Sequence, residues 1–419
     1  MTKRLILAFV FLSWHLVACS NGDSGISSGL PDKPSAEEDS PGTETISEEM
    51  RVKITGEDLY ISAKLDAKTD ILYWFKKCMF NELFTFYRVG TIDNNMPAPA
   101  TLPDVSPTSL LNLAYSDNIG PFNITGYGWC GGNHPYLDEV TRTARNVGYH
   151  IYVDGKEIKE DMSALTKEIK ITVTNEIMNP SKADTSSGKT LLNDVLCIET
   201  VSYSVYRNNI QVSVSHEFQN ESPVTVQMYY GMQSMFEKET HTLTAGGKYT
   251  DWTVQKEVST FTKKEYPSFR RFIEKSVHAY QSSYLFADGL GNHEEIADDD
   301  IIFIGNSSNK TYHKIIANKE HKKGDVIHWS GVYTWFKSPV SDDDGLLCYE
   351  GIIDNQKVLF IDCKKSVNKM IQLPDGYIKK TFTIREKSES ITIAGNKVTT
   401  QGFKIVSDGP GSCVITFNH

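Results

Sequence analysis

The chain is 419 residues long, 39% hydrophobic and 23% charged, with a formal net charge of −10. Its length is enough to bury a core larger than that of one typical domain. The acidic balance comes without any basic block, which argues against nucleic acid as the main ligand.

Residues 1–18 read as an export signal: a basic start, MTKR, and an apolar run, LILAFVFLSWHLVA, too short to span a bilayer. Leu16, Val17, Ala18 and Cys19 resemble a bacterial lipobox, as found in cell-envelope lipoproteins of the Bacteroidota type. The resemblance implies cleavage before Cys19 and lipidation of that cysteine; the alternative is an ordinary signal with Cys19 incidental. Several acyl chains anchor a protein stably without a transmembrane helix, so the body is expected at the cell envelope, periplasmic or extracellular. Residues 19–50 are rich in Ser, Gly, Pro and acids and cannot bury enough apolar surface to offset their ordering entropy. They read as a flexible acidic tether, which leaves 51–419 as the folded body.

Along that body the dominant period is two. LYISAKL (59–65) reads as a strand, while DILYWFKKCMFNELFTFY (70–87) fits a helix or strands. GYHIYVDGKEI (148–158) contains a hairpin turn at Asp154-Gly155, and KEIKITVTN (167–175) is a further strand. VSYSVY and IQVSVSHEF flank a turn at Asn208-Asn209. With VTVQMYYGMQ, after a turn at 220–223, they are expected to form a three-strand antiparallel meander. Residues 237–266 break the composition, marking either a boundary between two lobes or a polar edge strand and loop. In PSFRRFIEKSVHAY the apolar spacing predicts a short helix near 268–280. Further strands are predicted at 301–305, 310–317, 324–336, 377–386, 390–400 (turn at Gly395-Asn396) and 413–417. The pattern predicts a mainly β chain, a large antiparallel β-sandwich rather than a βαβ fold.

The stretch WCGGNHPYLDE (129–139) is the leading candidate site. Gly131 and Gly132 permit a tight loop that aims His134 outward. With Glu139 and Arg142 nearby, His134 is a candidate general acid or base. Asp117, Trp129 and Arg145 complete a substrate-binding set, the arginines suiting a carboxylate or sulfate on an acidic sugar. The competing reading is a glycine turn whose His134 bonds to backbone. A second Gly-Asn-His stretch, GLGNHEEIADDD (289–300), offers oxygen ligands that favour calcium, through Asp288, Asp298 and Asp300. Its spacing is not that of an EF-hand, and a solvated acidic turn is the preferred reading there, as it is for Asp342 to Asp344.

Trp329, Tyr333 and Trp335 share one face of a predicted strand with Gly331. They are either core or a ring platform for sugar. His216 falls on the apolar face of its strand and reads as a core histidine. Cys348 and Cys363 lie symmetrically about a turn placed at Asn355-Gln356, so they are read as either a disulfide or two buried thiols. Zinc spacings, nucleophile elbows, HExxH and P-loops are absent.

The aromatic-rich β body also resembles, without a complete motif, the supersandwich of mutarotase-like and polysaccharide-lyase domains. No catalytic residue of those families carries over. Together these readings predict a lipid-anchored protein that binds or processes a glycan near 127–145. The competing class is a non-enzymatic assembly lipoprotein that binds another protein.

Overall fold

A computed structural model describes residues 46–101, 111–112, 119–236, 240–244, 249–254, 259–261, 270–286, 302–305 and 310–418. The chain is mainly β, and among the described residues its strands form five antiparallel sheets. The first has five strands: Met162–Thr166, Met50–Thr55, Asp58–Lys64, Thr69–Cys78 and Leu83–Asp93 in spatial order. The largest, of ten strands, runs from Thr253–Val254 through Arg271–Lys275, Val326–Phe336 and Val195–Tyr206 to Lys156–Ile158. A seven-stranded sheet is built around Lys310–His321 and Val224–Phe236 and ends on Phe122–Ile124 and Gly128–Cys130. A five-stranded and a three-stranded sheet hold the C-terminal strands from Ser341 to Phe417.

The layers follow from which residues alternate inward. Val201, Tyr203, Val212 and Val214 of the ten-stranded sheet share one core with Ile61, Phe75 and Phe86 of the first sheet and Val226 and Tyr229 of the seven-stranded sheet. On the opposite face of the large sheet, Tyr284, Val332 and Phe336 pack against Tyr349, Phe360 and Val414. A separate core, including Cys348, Ile361, Phe403 and Ile415, fills the space between the two C-terminal sheets. Much of the large sheet is therefore covered on both faces, a sandwich with an extra layer.

Several expectations change. The 70–87 stretch is two strands, Thr69–Cys78 and Leu83–Asp93. The predicted helix near 268–280 is instead a hairpin of Arg271–Lys275 and Tyr280–Leu285, in which Ile273 faces Ser282. Both faces of Arg271–Lys275 are buried, so its strand period is hidden and the apolar residues mimic helical spacing. Ser276 Oγ accepts the N–H groups of His278 and Ala279 at 3.2 and 3.1 Å, which leaves Val277 exposed at the turn tip.

The meander is also corrected. Val195–Tyr206 and Asn209–Phe218 pair as expected, but Asn209–Phe218 then pairs with Val326–Phe336. Val224–Phe236 crosses to the seven-stranded sheet and pairs with Lys310–His321. Asn220 secures the crossing, donating from Nδ2 to the carbonyls of Ser222 and His321 at 2.9 and 3.0 Å. The Asp154-Gly155 hairpin forms, with Val153 facing Lys156. Gly395-Asn396 is no turn: the strand Ile391–Thr399 runs through it and reverses after Thr399, which faces Gly402.

Cys348 and Cys363 are not opposite each other. The turn sits at Asp354-Asn355, both at positive φ (51° and 59°), one residue earlier than predicted. Asp and Asn tolerate that conformation best among residues with a side chain. A turn shifted by one residue moves the pairing by two, so Cys348 faces Ile361 and Cys363 faces Leu346. Cys78, Cys130, Cys197, Cys348, Cys363 and Cys413 are all buried, and none forms a disulfide. Burial pushes the thiols of Cys363 and Cys413 up to about 12. The native body is therefore expected to resist thiol alkylation at mildly alkaline pH and to label at all six positions once unfolded, as read by intact mass. A native thiol that reacts at the rate of a free peptide would contradict this burial.

Candidate functional site

The 129–145 loop is held from beneath by two buried residues. Asn81 donates from Nδ2 to the carbonyls of Gly132 (2.8 Å) and His134 (3.2 Å), while its Oδ1 accepts the Thr143 N–H at 3.0 Å. Thr143 Oγ1 accepts the Gly131 N–H at 3.0 Å and donates to the His134 carbonyl. Gly131 and Gly132 both take positive φ, 79° and 49°, which is the conformation expected from the glycine pair. Asn133 Oδ1 accepts the Phe80 N–H at 2.7 Å. Beyond it, Pro135 bridges to Arg142, closing a small hairpin with Glu139 at its exposed tip, φ 63°. The loop is thus built on a well-satisfied backbone.

Asp138, Arg142 and Arg145 each have a partner of their own. Asp138 accepts from the Thr141 side chain (2.6 Å) and from the N–H groups of Thr141 and Val140 (2.8 and 3.0 Å). The Thr141 hydroxyl, aided by those two N–H groups, holds the Asp138 carboxyl well below the usual range. Arg142 pairs with Glu82 at 2.7 Å, and Arg145 with Glu176. All of Glu139, Arg142 and Arg145 are exposed. Of the residues set beside His134, Glu139 stands at the hairpin tip and Arg142 faces Glu82. Asp117 lies outside the described residues, as do Cys19, Asp288, Asp298 and Asp300. Among the described residues, no group of three or more His, Cys, Asp or Glu side chains could hold a metal.

What the loop does assemble is a column of rings. Trp129, on the last strand of its sheet, stacks with His134 at 5.3 Å between centroids and 27° between planes. Trp129 also stacks with Tyr230, at 6.3 Å and 25°, and Tyr312 meets Tyr230 at 4.4 Å and 64°. All four are half-buried. Tyr230 leaves the core because the pairing with Phe122–Ile124 shifts between Val226 and Met228, a bulge that puts Tyr229 rather than Met228 in phase with buried Val226 and so turns Tyr230 outward. Gly120 locks the position: a Cβ there would lie 1.7 Å from the Tyr230 carbonyl oxygen, and its φ is +87°. The Tyr229-Tyr230 doublet is the available sequence signal, but plain alternation assigns Tyr230 to the apolar face.

The other aromatic candidates are core. Trp329, Tyr333 and Trp335 are wholly buried. Each polar tip is satisfied inside: Trp329 Nε1 on the Tyr229 hydroxyl, Tyr333 hydroxyl on the Gln233 carbonyl, and Trp335 Nε1 on Gln281 Oε1, all at 3.0 Å. The gap left by Gly331 is filled by Met232, whose sulfur would lie 2.9 Å from a Cβ there. These three residues therefore cannot form a sugar platform. His216 is core as expected, its Nε2 2.9 Å from Glu199 Oε2. Glu199 also accepts from Asn175 at 2.8 Å, and the imidazole lies edge-on to Phe122 and Tyr229.

No family model matches the chain, and no curated protein matches it. Among solved structures it is similar to the galactosidase domain of the α-galactosidase–sucrose kinase AgaSK, with 11% identity and a TM-score of 0.37. That match covers 67% of this chain and 41% of the other. The GH36 α-galactosidase AgaB from Geobacillus stearothermophilus is similar at 8% identity and a TM-score of 0.38, over 69% of this chain and 41% of that one. A mutant chondroitin AC lyase from Streptomyces coelicolor A3 gives 9% identity and a TM-score of 0.17, over 86% of this chain and 48% of that one. This chain thus spans less than half the length of each, and likenesses of this size assign neither a family nor an activity.

Proposed function

We propose that this is a non-catalytic glycan-binding protein of the bacterial cell envelope, anchored through lipid on Cys19 and holding sugar at the Trp129 column. The observation that carries the reading is the half-buried group of rings in which Trp129 and His134, on a loop fixed by buried hydrogen bonds, meet Tyr230 and Tyr312 of the neighbouring strands. Aromatic side chains join a large apolar surface to a polar tip, which suits a ligand with apolar C–H faces and a rim of hydroxyls. A preformed site also spends little ordering entropy on binding. Binding is preferred over catalysis because Asp138 is held by Thr141, Arg142 by Glu82 and Arg145 by Glu176.

Trp129→Ala and Tyr230→Ala are each expected to weaken binding about tenfold or more, the loss of roughly 1.4 kcal/mol of contact. The measurement is affinity electrophoresis or calorimetry over a panel of neutral and acidic polysaccharides. Absence of binding by the wild-type protein across that panel would sink the reading. One observation favours the assembly-protein alternative: Leu137 and Val140 are 67% and 77% exposed, with Leu191 also exposed on the neighbouring 184–191 segment. In that case a protein partner would be lost on Leu137→Ser with Val140→Ser and retained by Trp129→Ala.

A further inference from the structure

The two-residue turn between Val195–Tyr206 and Asn209–Phe218 carries an arginine where a glycine would be at ease. Tyr206 faces Asn209, and Arg207, the first residue of the turn, takes φ 52°. That conformation suits Gly, Asn or Asp, and an arginine holds it only against a steric penalty. Its neighbours fix the turn. The Arg207 N–H donates to Met50 Sδ at 3.1 Å, and its carbonyl accepts from the Tyr73 hydroxyl at 3.0 Å. The Trp335 N–H donates to the Asn208 carbonyl at 2.9 Å. A backbone held this firmly determines where the guanidinium stands, and local strain of this kind clusters at ligand sites.

Arg207 lines a cleft of about 380 Å³ between the large sheet and the C-terminal five-stranded sheet, within the size range of small-ligand sites. Lys167, Lys357 and Lys380 line it too, against the carboxylates of Glu48 and Glu168. Glu168 is occupied: it accepts from the Tyr206 hydroxyl at 2.7 Å and lies 3.1 Å from Lys170. Glu48 Oε1 lies 3.2 Å from Lys357 Nζ and 3.8 Å from Arg207 Nη1, on a side chain that stays 68% exposed. The cations are still under-used. Arg207 Nε is buried without a hydrogen-bond partner, and Lys167 and Lys380 have no carboxylate within ion-pair distance, among the described residues. On a chain of net charge −10, four cations against two acids reverse the local sign. A second cleft, of about 330 Å³, adjoins the first and shares Arg207, Ile352 and Lys357 with it.

We infer that these joined clefts hold the acidic end of a short uronate-bearing saccharide, with Glu48 as an internal competitor for its carboxylate. Arg207 offers a planar fork that matches a carboxylate, and the lysines act as point charges. Ile352 and Phe417 give the cleft an apolar wall for C–H faces, and the exposed Asn355 and Asn418 bring amides for hydroxyls. The hydrogen bond and charge of Lys357 hold the Glu48 carboxyl below its ordinary range, so it stands ionised among the cations. A ligand displaces it readily, because ion pairs this exposed are weak. The inference rests on the glycan reading for the sugar nature of the ligand; the demand for a carboxylate rests on the cations alone.

The test is calorimetric titration of the full chain with digalacturonate, its methyl ester and inorganic sulfate. Digalacturonate is expected to bind, more weakly as salt is raised. Arg207→Gly should weaken it about tenfold or more without lowering the unfolding temperature, since glycine relieves the positive φ. Glu48→Gln should act in the opposite direction and tighten binding about two- to fivefold, the size of an exposed ion pair. Trp129→Ala should leave the affinity unchanged. Unaltered affinity in both Arg207→Gly and Glu48→Gln overturns the inference. Equal binding of the methyl ester, or sulfate bound as tightly as digalacturonate, does the same. Digalacturonate binding that disappears in Trp129→Ala but survives Arg207→Gly overturns the cleft and leaves the Trp129 site. A wild-type chain that binds polysaccharide but not digalacturonate likewise sinks the cleft reading alone.

Discussion

Replacing Asp362 by alanine is expected to destabilise the fold by about 3–5 kcal/mol, because it strands a buried guanidinium. Arg271, on the large sheet, reaches across the layer boundary to Asp362 of the C-terminal sheet, NH2 to Oδ1 at 2.5 Å. The same nitrogen donates to the Ile361 carbonyl at 3.0 Å, and the guanidinium lies 5.2 Å from the Phe360 ring. Both side chains are almost wholly buried, at 3% and 1% exposure. Water therefore cannot take over when the carboxylate is removed. The double substitution Arg271→Met with Asp362→Leu should recover most of the loss, since replacing a whole buried pair by apolar groups is often near neutral. Urea unfolding of the three variants measures this. A single Asp362→Ala variant within about 1 kcal/mol of wild type would show that the pair contributes no more than a surface one.

That contact illustrates what strand patterns in a sequence leave open. Alternation in 201–218 correctly assigns His216, Val212 and Val214 to one buried face. It cannot say that Val224–Phe236 leaves that sheet, because period two identifies a strand's faces and not its partners. The same limit explains Trp329, Tyr333 and Trp335. Their shared face is legible, but whether a second sheet covers it depends on Tyr229, Gln233 and Gln281, which come from other strands. The 271–285 hairpin is hidden for a related reason, since burial on both faces erases the polar half of the alternation. At the candidate site, the glycine turn and Trp129 beside His134 are readable locally. Tyr230 and Tyr312 join them only through a bulge and long-range pairing.

Glu274 should make stability depend on pH in the direction opposite to an ordinary ion-paired acid. It is 1% exposed, and its Oε2 accepts from Thr242 at 2.7 Å and Thr240 at 3.2 Å, while its Oε1 has no partner among the described residues. Around it the large sheet places Gln281, directly opposite on the next strand, whose Oε1 is taken by Trp335. Burial raises the carboxyl from its ordinary 4.5 to about 7, and the two threonine hydroxyls only partly oppose that rise. A shift of this size disfavours the ionised form by on the order of 3 kcal/mol. A carboxyl whose folded value is raised stabilises the fold most below its unfolded value. That contribution fades as pH climbs from about 4.5 and is gone above about 7. Glu274→Gln keeps the shape and an oxygen for both threonines but cannot ionise. The variant is therefore expected to match wild type near pH 4.5 and to exceed it by on the order of 3 kcal/mol at pH 8. Urea unfolding of both proteins at the two pH values decides the matter. If the difference between them is the same at both, Glu274 does not titrate in the folded state as its burial requires.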